Sequence, residues 1–202
     1  MVLLGHNGAG KTTLLNYILG FYTDVTQHPF LPAFKAFLEN KGFLVDEYAY
    51  TPEAAFLDPE LSAQDYFKLL ASIRGITDYD MAALLKRVAL DVDPHRLVKH
   101  YSKGMKQRLM LALALLSNPK TVILDEPTEG LDPYGKEAIE ALILELAQTH
   151  RVIISTHSLG LAARLKDEVW ILRHGEVVYE GRIVDRTELE SLMERYRPEH
   201  IL

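Results

Sequence analysis

The stretch at residues 5–13, GHNGAGKTT, constrains this chain more than any other. Gly5, Gly10, Lys11 and Thr12 fit the spacing G-x-x-x-x-G-K-[ST] of a phosphate-binding loop. The chemistry behind that spacing is local. Glycines let the backbone bend until successive N–H groups point into one concavity, where they bind phosphate oxygens. The helix that follows adds the positive end of its dipole. Lys11 then reaches the β- and γ-phosphates as a point charge, and the Thr12 hydroxyl ligates Mg²⁺. Such a loop needs a strand before it and a helix after it. Residues 1–4 are a short apolar strand, and Leu14, Leu15, Ile18 and Leu19 carry helical spacing up to Gly20.

The rest of the chain alternates strand and helix signals. Pro29 and Pro32 interrupt residues 21–45, where Phe34, Phe37 and Leu38 indicate a short amphipathic helix ending near Gly42. Residues 47–51 read as a strand running into Pro52 and Glu53. Ser62 and Asp65 form a capping box that opens a helix ending at Gly75. A second helix is expected over about 80–90, with Leu84, Leu85 and Val88 on one side, before the turn at Asp93 and Pro94. Ser102 caps a helix running through Leu116, which Asn118 and Pro119 close. Residues 121–124 and 152–155 are continuous apolar runs of strand length, the pattern of strands covered on both faces. Asp132 caps a helix with Pro133 in its first position, running to about Gln148, and Ser158 caps the next. Residues 169–179 read as a hairpin turning at His174 and Gly175, and Thr187 with Glu190 as a last capping box. Alternation of this kind indicates an α/β sheet flanked by helices, with residues 54–100 as an inserted α-helical segment.

Composition narrows the function classes. The 202 residues are 48% hydrophobic and 25% charged, which suits one folded domain with a substantial core. A formal charge of −6 argues against sequence-independent nucleic-acid binding, which needs a basic footprint. With no cysteine there is neither a disulfide framework nor a thiolate metal site. The most apolar run, residues 109–116, is well short of the roughly 20 residues that cross a bilayer. A membrane role therefore requires a partner.

Three further places carry candidate chemistry. Asp125 and Glu126 follow the buried strand at 121–124, at the carboxyl end where open α/β sheets bind ligands. Asp125 can hold Mg²⁺ directly or through water, and Glu126 can orient a water in line with the γ-phosphate. Residues 101–108, YSKGMKQR, open a helix and read either as an ordinary cap or as an anion site. His157, in STH at a strand end, is either structural or solvent-facing, or a hydrogen-bond donor to a γ-phosphate.

With these motifs in this order, the chain resembles the nucleotide-binding subunit of ABC transporters, in the exporter-type branch. GHNGAGKTT is similar to the family's Walker A, bringing Asn7, Gly8 and Thr13 into the phosphate site beside Gly5, Gly10, Lys11 and Thr12. TVILDEP is similar to Walker B, with Glu126 as the catalytic glutamate. Residues 129–132, including Asp132, are similar to the D-loop, His157 to the switch histidine, and YSKGM to the LSGGQ signature. The resemblance covers residues 1 to about 185. It implies a P-loop NTPase fold with a catalytic core at 1–53 and 101–185, a helical subdomain at 54–100 and a helical tail at 186–202. It also implies an ATPase using ATP and Mg²⁺. Two cassettes, identical or different, would stack head to tail, so that Ser102 and Gly104 of one bind the γ-phosphate of the other's nucleotide. Their cycle would drive a separate membrane permease at the cytoplasmic face of the membrane, with Phe56, Tyr66 and Phe67 either lining the permease groove or packing in the subdomain core.

Four departures from the family pattern qualify these expectations. The signature carries Lys103 and Met105 where Gly and Gln are usual, a subfamily mark. Glu53 stands at the position of the family's Q-loop glutamine, where it would hold Mg²⁺ or water. Residues 23–45 lack a clear strand hairpin. The segment that family members carry ahead of Walker A, with its adenine-stacking aromatic, is not part of the sequence, and Met1 falls inside a core strand, as with a start codon assigned too late. Weakened but not abolished ATP binding is the expectation, since base stacking is worth only about 1–3 kcal/mol. Two other classes compete with the transporter reading: a truncated, silent cassette acting as a binding partner, and a soluble ABC-type ATPase acting on nucleic acid or ribosomes. Intact Lys11, Asp125, Glu126 and His157 argue against the first; the lack of basic arms argues against the second.

Overall fold

The computed structural model describes residues 1–41, 45, 47–54 and 56–196. In chain order its elements are β1 (Val2–Leu4), α1 (Lys11–Ile18), α2 (Leu31–Lys41), β2 (Tyr48–Thr51), α3 (Ala63–Arg74), α4 (Met81–Arg87), α5 (Lys103–Leu115) and β3 (Thr121–Asp125), followed by α6 (Pro133–Leu146), β4 (Arg151–Ser155), α7 (Leu159–Leu165), β5 (Glu168–Arg173), β6 (Glu176–Arg182) and α8 (Arg186–Arg195). The architecture is the expected mixed α/β one, with sheet strands flanked by helices. Two compact units build it: Met1–Asp46 with Ile153–Leu202, and Glu47–Val152.

In the first unit β1 lies between β4 and β5 and is parallel to both. Its three residues are fully buried, which explains why they are apolar without alternation. β5 and β6 form an antiparallel hairpin. His174 and Gly175 both take left-handed backbone angles at its turn, as a two-residue turn that follows strand twist requires. Helix α2 packs beside this hairpin: the Phe37 ring meets Trp170 edge-on at 4.8 Å, and Lys41 pairs with Glu168 and Glu180. A 3₁₀ turn at Val25–Gln27, capped by Asp24, precedes α2, so helical segments occupy the stretch where the strand hairpin was missing from the sequence. The helix end expected near Gly42 lies outside the described residues.

In the second unit β2 and β3 are parallel, with Tyr48 opposite Thr121 and Thr51 opposite Leu124. Every residue of β3 is buried. Helix α5 is the unit's core helix, buried without a break from Leu109 to Leu115 and packed against β2, α3 and α4. The Ser62–Asp65 capping box opens α3 as expected, and Gly75 ends it in the left-handed conformation. The three candidate groove aromatics separate: Phe67 is core, stacked on Tyr79 at 6.0 Å, Tyr66 is half-buried, and Phe56 is 86% exposed.

Two sequence expectations need correction. Helix α4 stops at Arg87 instead of near Leu90, because Val88 leaves helical angles and Ala89 turns left-handed at φ 51°. The last helix is not opened by Thr187 and Glu190. Asp185 is its N-cap, accepting from the Glu188 N–H at 2.9 Å, while the Glu188 carboxylate takes the Val184 N–H at 2.8 Å. An aspartate caps at least as well as a threonine, and using it adds two residues to the helix. Asp185→Ala is therefore expected to lower stability by about 1 kcal/mol, and Thr187→Ala by less than about 0.5, measured by urea unfolding.

Candidate functional site

In the first unit, the loop between β1 and α1 is shaped by close approaches. A Cβ on Gly5 would stand 2.6 Å from the Leu172 carbonyl oxygen and 2.9 Å from the Ala9 Cβ, so no side chain fits there. Gly10, at φ 104°, is the N-cap of α1 and packs under the rings of Phe30 and Phe34. It has no side chain to cap the helix, and the first N–H groups of a helix have no intrahelical acceptor. They are available to an anion. Lys11 is only 7% exposed, and its Nζ donates to the Gly5 carbonyl at 2.8 Å and the His6 carbonyl at 3.4 Å. The ammonium thus sits inside the curve of the loop. The β5–β6 turn braces the loop from outside: the Gly175 N–H donates to the Ala9 carbonyl at 2.9 Å, and the His174 ring meets His6 at 5.5 Å. Asn7, Gly8 and Thr12 are exposed and Thr13 is half-buried, so this stretch faces solvent.

His157 belongs to the same edge of the same unit. Leu3 is opposite Ser155 in the parallel β1–β4 pair, and the Thr156 N–H donates to the Leu3 carbonyl at 3.0 Å. His157 therefore follows β4 where Gly5 follows β1, and it is exposed.

In the second unit, Asp125 and Glu126 close β3, 1% and 7% exposed. Glu126 has a left-handed backbone at φ 42°, a conformation that costs a residue with a side chain about 1 kcal/mol or more and that clusters at functional sites. The Tyr50 hydroxyl stands 3.5 Å from the Asp125 carboxylate. Burial foremost, then the charge of Asp125, push the Tyr50 phenol far above its usual range, so it stays a proton donor. Tyr50 was not among the residues singled out from the sequence; the only signal for it was its place in the strand that leads into Glu53. Glu53 lies two residues beyond β2, and the Thr51–Leu124 register puts it at the same strand edge as Asp125. Its charge is also felt by Tyr50, and its side chain is exposed.

The remaining candidates share a groove of about 530 Å³ in the second unit, lined among others by Ser102, Gly104, Gly130 and Asp132. The Ser102 hydroxyl accepts from the Met105 N–H at 3.2 Å, and the Ser102 N–H donates to the Met105 sulfur at 3.4 Å. The unusual methionine thus completes the helix cap. A Cβ on Gly104 would meet Leu131 at 3.7 Å, an ordinary contact, so nothing among the described residues forces a glycine there. Asp132 caps α6, accepting from the Gly135 N–H at 2.6 Å.

Residues 1–129 match the family model described as ABC transporter. The chain belongs to the ABC transporter family, as an ATP-binding domain. It is similar to the lantibiotic transport ATP-binding protein SrtF of Streptococcus pyogenes, 31% identical over 194 residues that cover 94% of this chain and 82% of that protein. It is also 32% identical to the uncharacterized ABC transporter ATP-binding protein YthP of Bacillus subtilis strain 168, over 94% of this chain and 78% of that one. A solved ATP-binding subunit of an ABC transporter superposes with a TM-score of 0.70 at 27% identity, covering 98% of this chain and 82% of that one.

The loop glycines of this cassette differ in what they tolerate. Gly5→Ala meets backbone atoms, whereas a Cβ on Gly8 has no atom within 4 Å and only its φ of 80° opposes it. Gly5→Ala is expected to lower stability by more than about 3 kcal/mol and Gly8→Ala by about 1–2, compared by thermal unfolding without nucleotide.

Proposed function

We propose that this cassette is the ATP-hydrolysing subunit that powers a separate membrane permease, acting in export. The observation that carries the reading is the left-handed, buried Glu126 at the end of β3, beside an Asp125 held by Tyr50. The reaction is ATP hydrolysis. Lys11 and the N–H groups of residues 7–13 bind the phosphates, and Glu126 orients and polarises the attacking water. His157 donates to the γ-phosphate. Thr12, Asp125 and Glu53 offer the hard oxygen donors that suit Mg²⁺; when bound, the ion neutralises charge on the β- and γ-phosphates.

The second half of the site comes from a second cassette, identical or different. Gly104 supports this, since its missing side chain is not explained by packing among the described residues and leaves room for a group from outside. Ser102, Gly104 and Asp132 then serve the nucleotide of the partner, and two identical cassettes would meet isologously. Residues 1–53 and 101–185 form the catalytic core, 54–100 the helical subdomain and 186–202 a tail. Exposed Phe56, Leu69 and Ile73 lie in the helical segment and suit docking to the permease. No helix among the described residues is long and apolar enough to cross a membrane, in keeping with attachment to the cytoplasmic face through that permease. Export is favoured by the SKGM signature and by the likeness to a lantibiotic transport ATP-binding protein. The acidic balance disfavours nucleic acid as a partner.

Glu126→Gln keeps the shape of the side chain and removes its base. Turnover of Mg-ATP is expected to fall by roughly 10²–10⁴-fold while an ATP-bound dimer accumulates, read by phosphate release and light scattering. Unchanged turnover in that variant would overturn the assignment.

A further inference from the structure

Lys103 stands where the family's signature usually has glycine, and the reaction described so far leaves it without a role. Its side chain lies across Gly130. A Cβ built on Gly130 would meet the Lys103 Nζ at 2.2 Å, Cε at 3.3 Å and Cδ at 3.5 Å. Gly130 takes φ 66°, so a side chain there is opposed by both the backbone and the lysine. Among the described residues the Lys103 side chain makes no hydrogen bond or ion pair, so this contact is one of packing. Gly130 in turn belongs to a tight run hung from Glu126. The Glu129 N–H donates to the Glu126 carbonyl at 3.0 Å, and the Leu131 N–H to the Thr128 carbonyl at 3.4 Å. The next helical residue, Gly104, faces Leu131. The first turn of α5 therefore rests on a run of turns that begins at Glu126, whose backbone is left-handed.

We infer that Lys103 is a positioning residue for Glu126, acting by packing its stem over Gly130 and so holding the 126–131 turn. This rests on the hydrolytic role of Glu126 proposed above. It joins two segments that sequence motifs treat as separate, the signature and the D-loop, within a single chain. The lysine does not touch the reacting atoms. Its removal should slow the chemical step and leave nucleotide affinity alone, because a loosened turn misplaces the glutamate without altering the phosphate loop.

The test is a double-mutant cycle on the whole chain with Lys103→Ala and Gly130→Ala, plus Lys103→Met, which keeps a stem and drops the charge. Lys103→Ala is expected to lower kcat about tenfold with KM for ATP within about twofold, and Lys103→Met to stay within about twofold of the unsubstituted chain in both. Gly130→Ala displaces the lysine and should match Lys103→Ala. Added to Lys103→Ala it should lower kcat little further. Additive losses, or a raised KM in Lys103→Met and Lys103→Ala alike, would overturn the inference; the latter result assigns the ammonium to the nucleotide instead. Thermal unfolding of the four proteins of the cycle without ATP reads the contact itself, and additive shifts in Tm likewise overturn it. An unsubstituted chain that fails to hydrolyse Mg-ATP would sink the parent reading, and the Tm cycle would still decide whether Lys103 holds the turn.

Discussion

A lysine ammonium removed from water is costly unless hydrogen bonds replace its hydration. In this chain the replacement comes from the phosphate loop's own carbonyls, those of Gly5 and His6, which Lys11 draws toward itself. Everything near the loop follows from that closure. With the carbonyls turned inward to the lysine, the helix-start N–H groups are left facing the open side. Gly5 must approach the Leu172 carbonyl, so it can carry no side chain. The β5–β6 turn must reach the Ala9 carbonyl with a backbone N–H, and Gly175 allows the approach while Phe30 covers it. The loop is thus prepared for a polyanion before one arrives, and an incoming phosphate meets donors already oriented.

Parallel strand pairing supplies the remaining order. In a parallel ladder the carboxyl ends of neighbouring strands lie at one edge, so registers fix which loops become neighbours. Leu3 opposite Ser155 brings the phosphate loop and His157 to one edge of the first unit, and Thr51 opposite Leu124 does the same for Glu53 and Asp125 in the second. Tyr50 then has a simple purpose. A carboxylate that is nearly inaccessible to water needs a donor, and a phenol that burial and a neighbouring anion keep protonated is a donor without a positive charge. An arginine there would compete with a divalent cation for Asp125; a tyrosine does not.

Much of this was legible in the sequence, because the informative features were short-range. The phosphate loop, the Ser62–Asp65 box, the caps at Ser102, Asp132 and Ser158, and the apolar runs of β3 and β4 each depend on spacing within a few residues. The failures also have local causes. Thr187 and Glu190 have the spacing of a capping box, but Asp185, two residues earlier, takes the cap, and spacing alone does not show that. Helix α4 ended early through a left-handed Ala89, a conformation that an alanine does not advertise. Tyr50, the Phe30 brace and the Lys103–Gly130 contact were illegible for a different reason. They join residues distant in the chain, and only the folded registers bring them together.

Two departures from the family pattern carry charge, and they share a pocket. Glu53 adds a negative charge where the family has a neutral amide, and Lys103 adds a positive one where it has glycine. Both line one pocket of about 320 Å³, with Lys106 and Gln107. Glu53 and Lys103 are exposed, so each pairwise attraction is worth at most about 1 kcal/mol. Lys106 lines the same pocket, so the positive charge beside Glu53 does not depend on Lys103 alone. A glutamate alone at this edge would add to the repulsion already exerted by Asp125 and Glu126. With Lys103 and Lys106 lining the same pocket, it leaves the edge no more negative than a glutamine beside a glycine would.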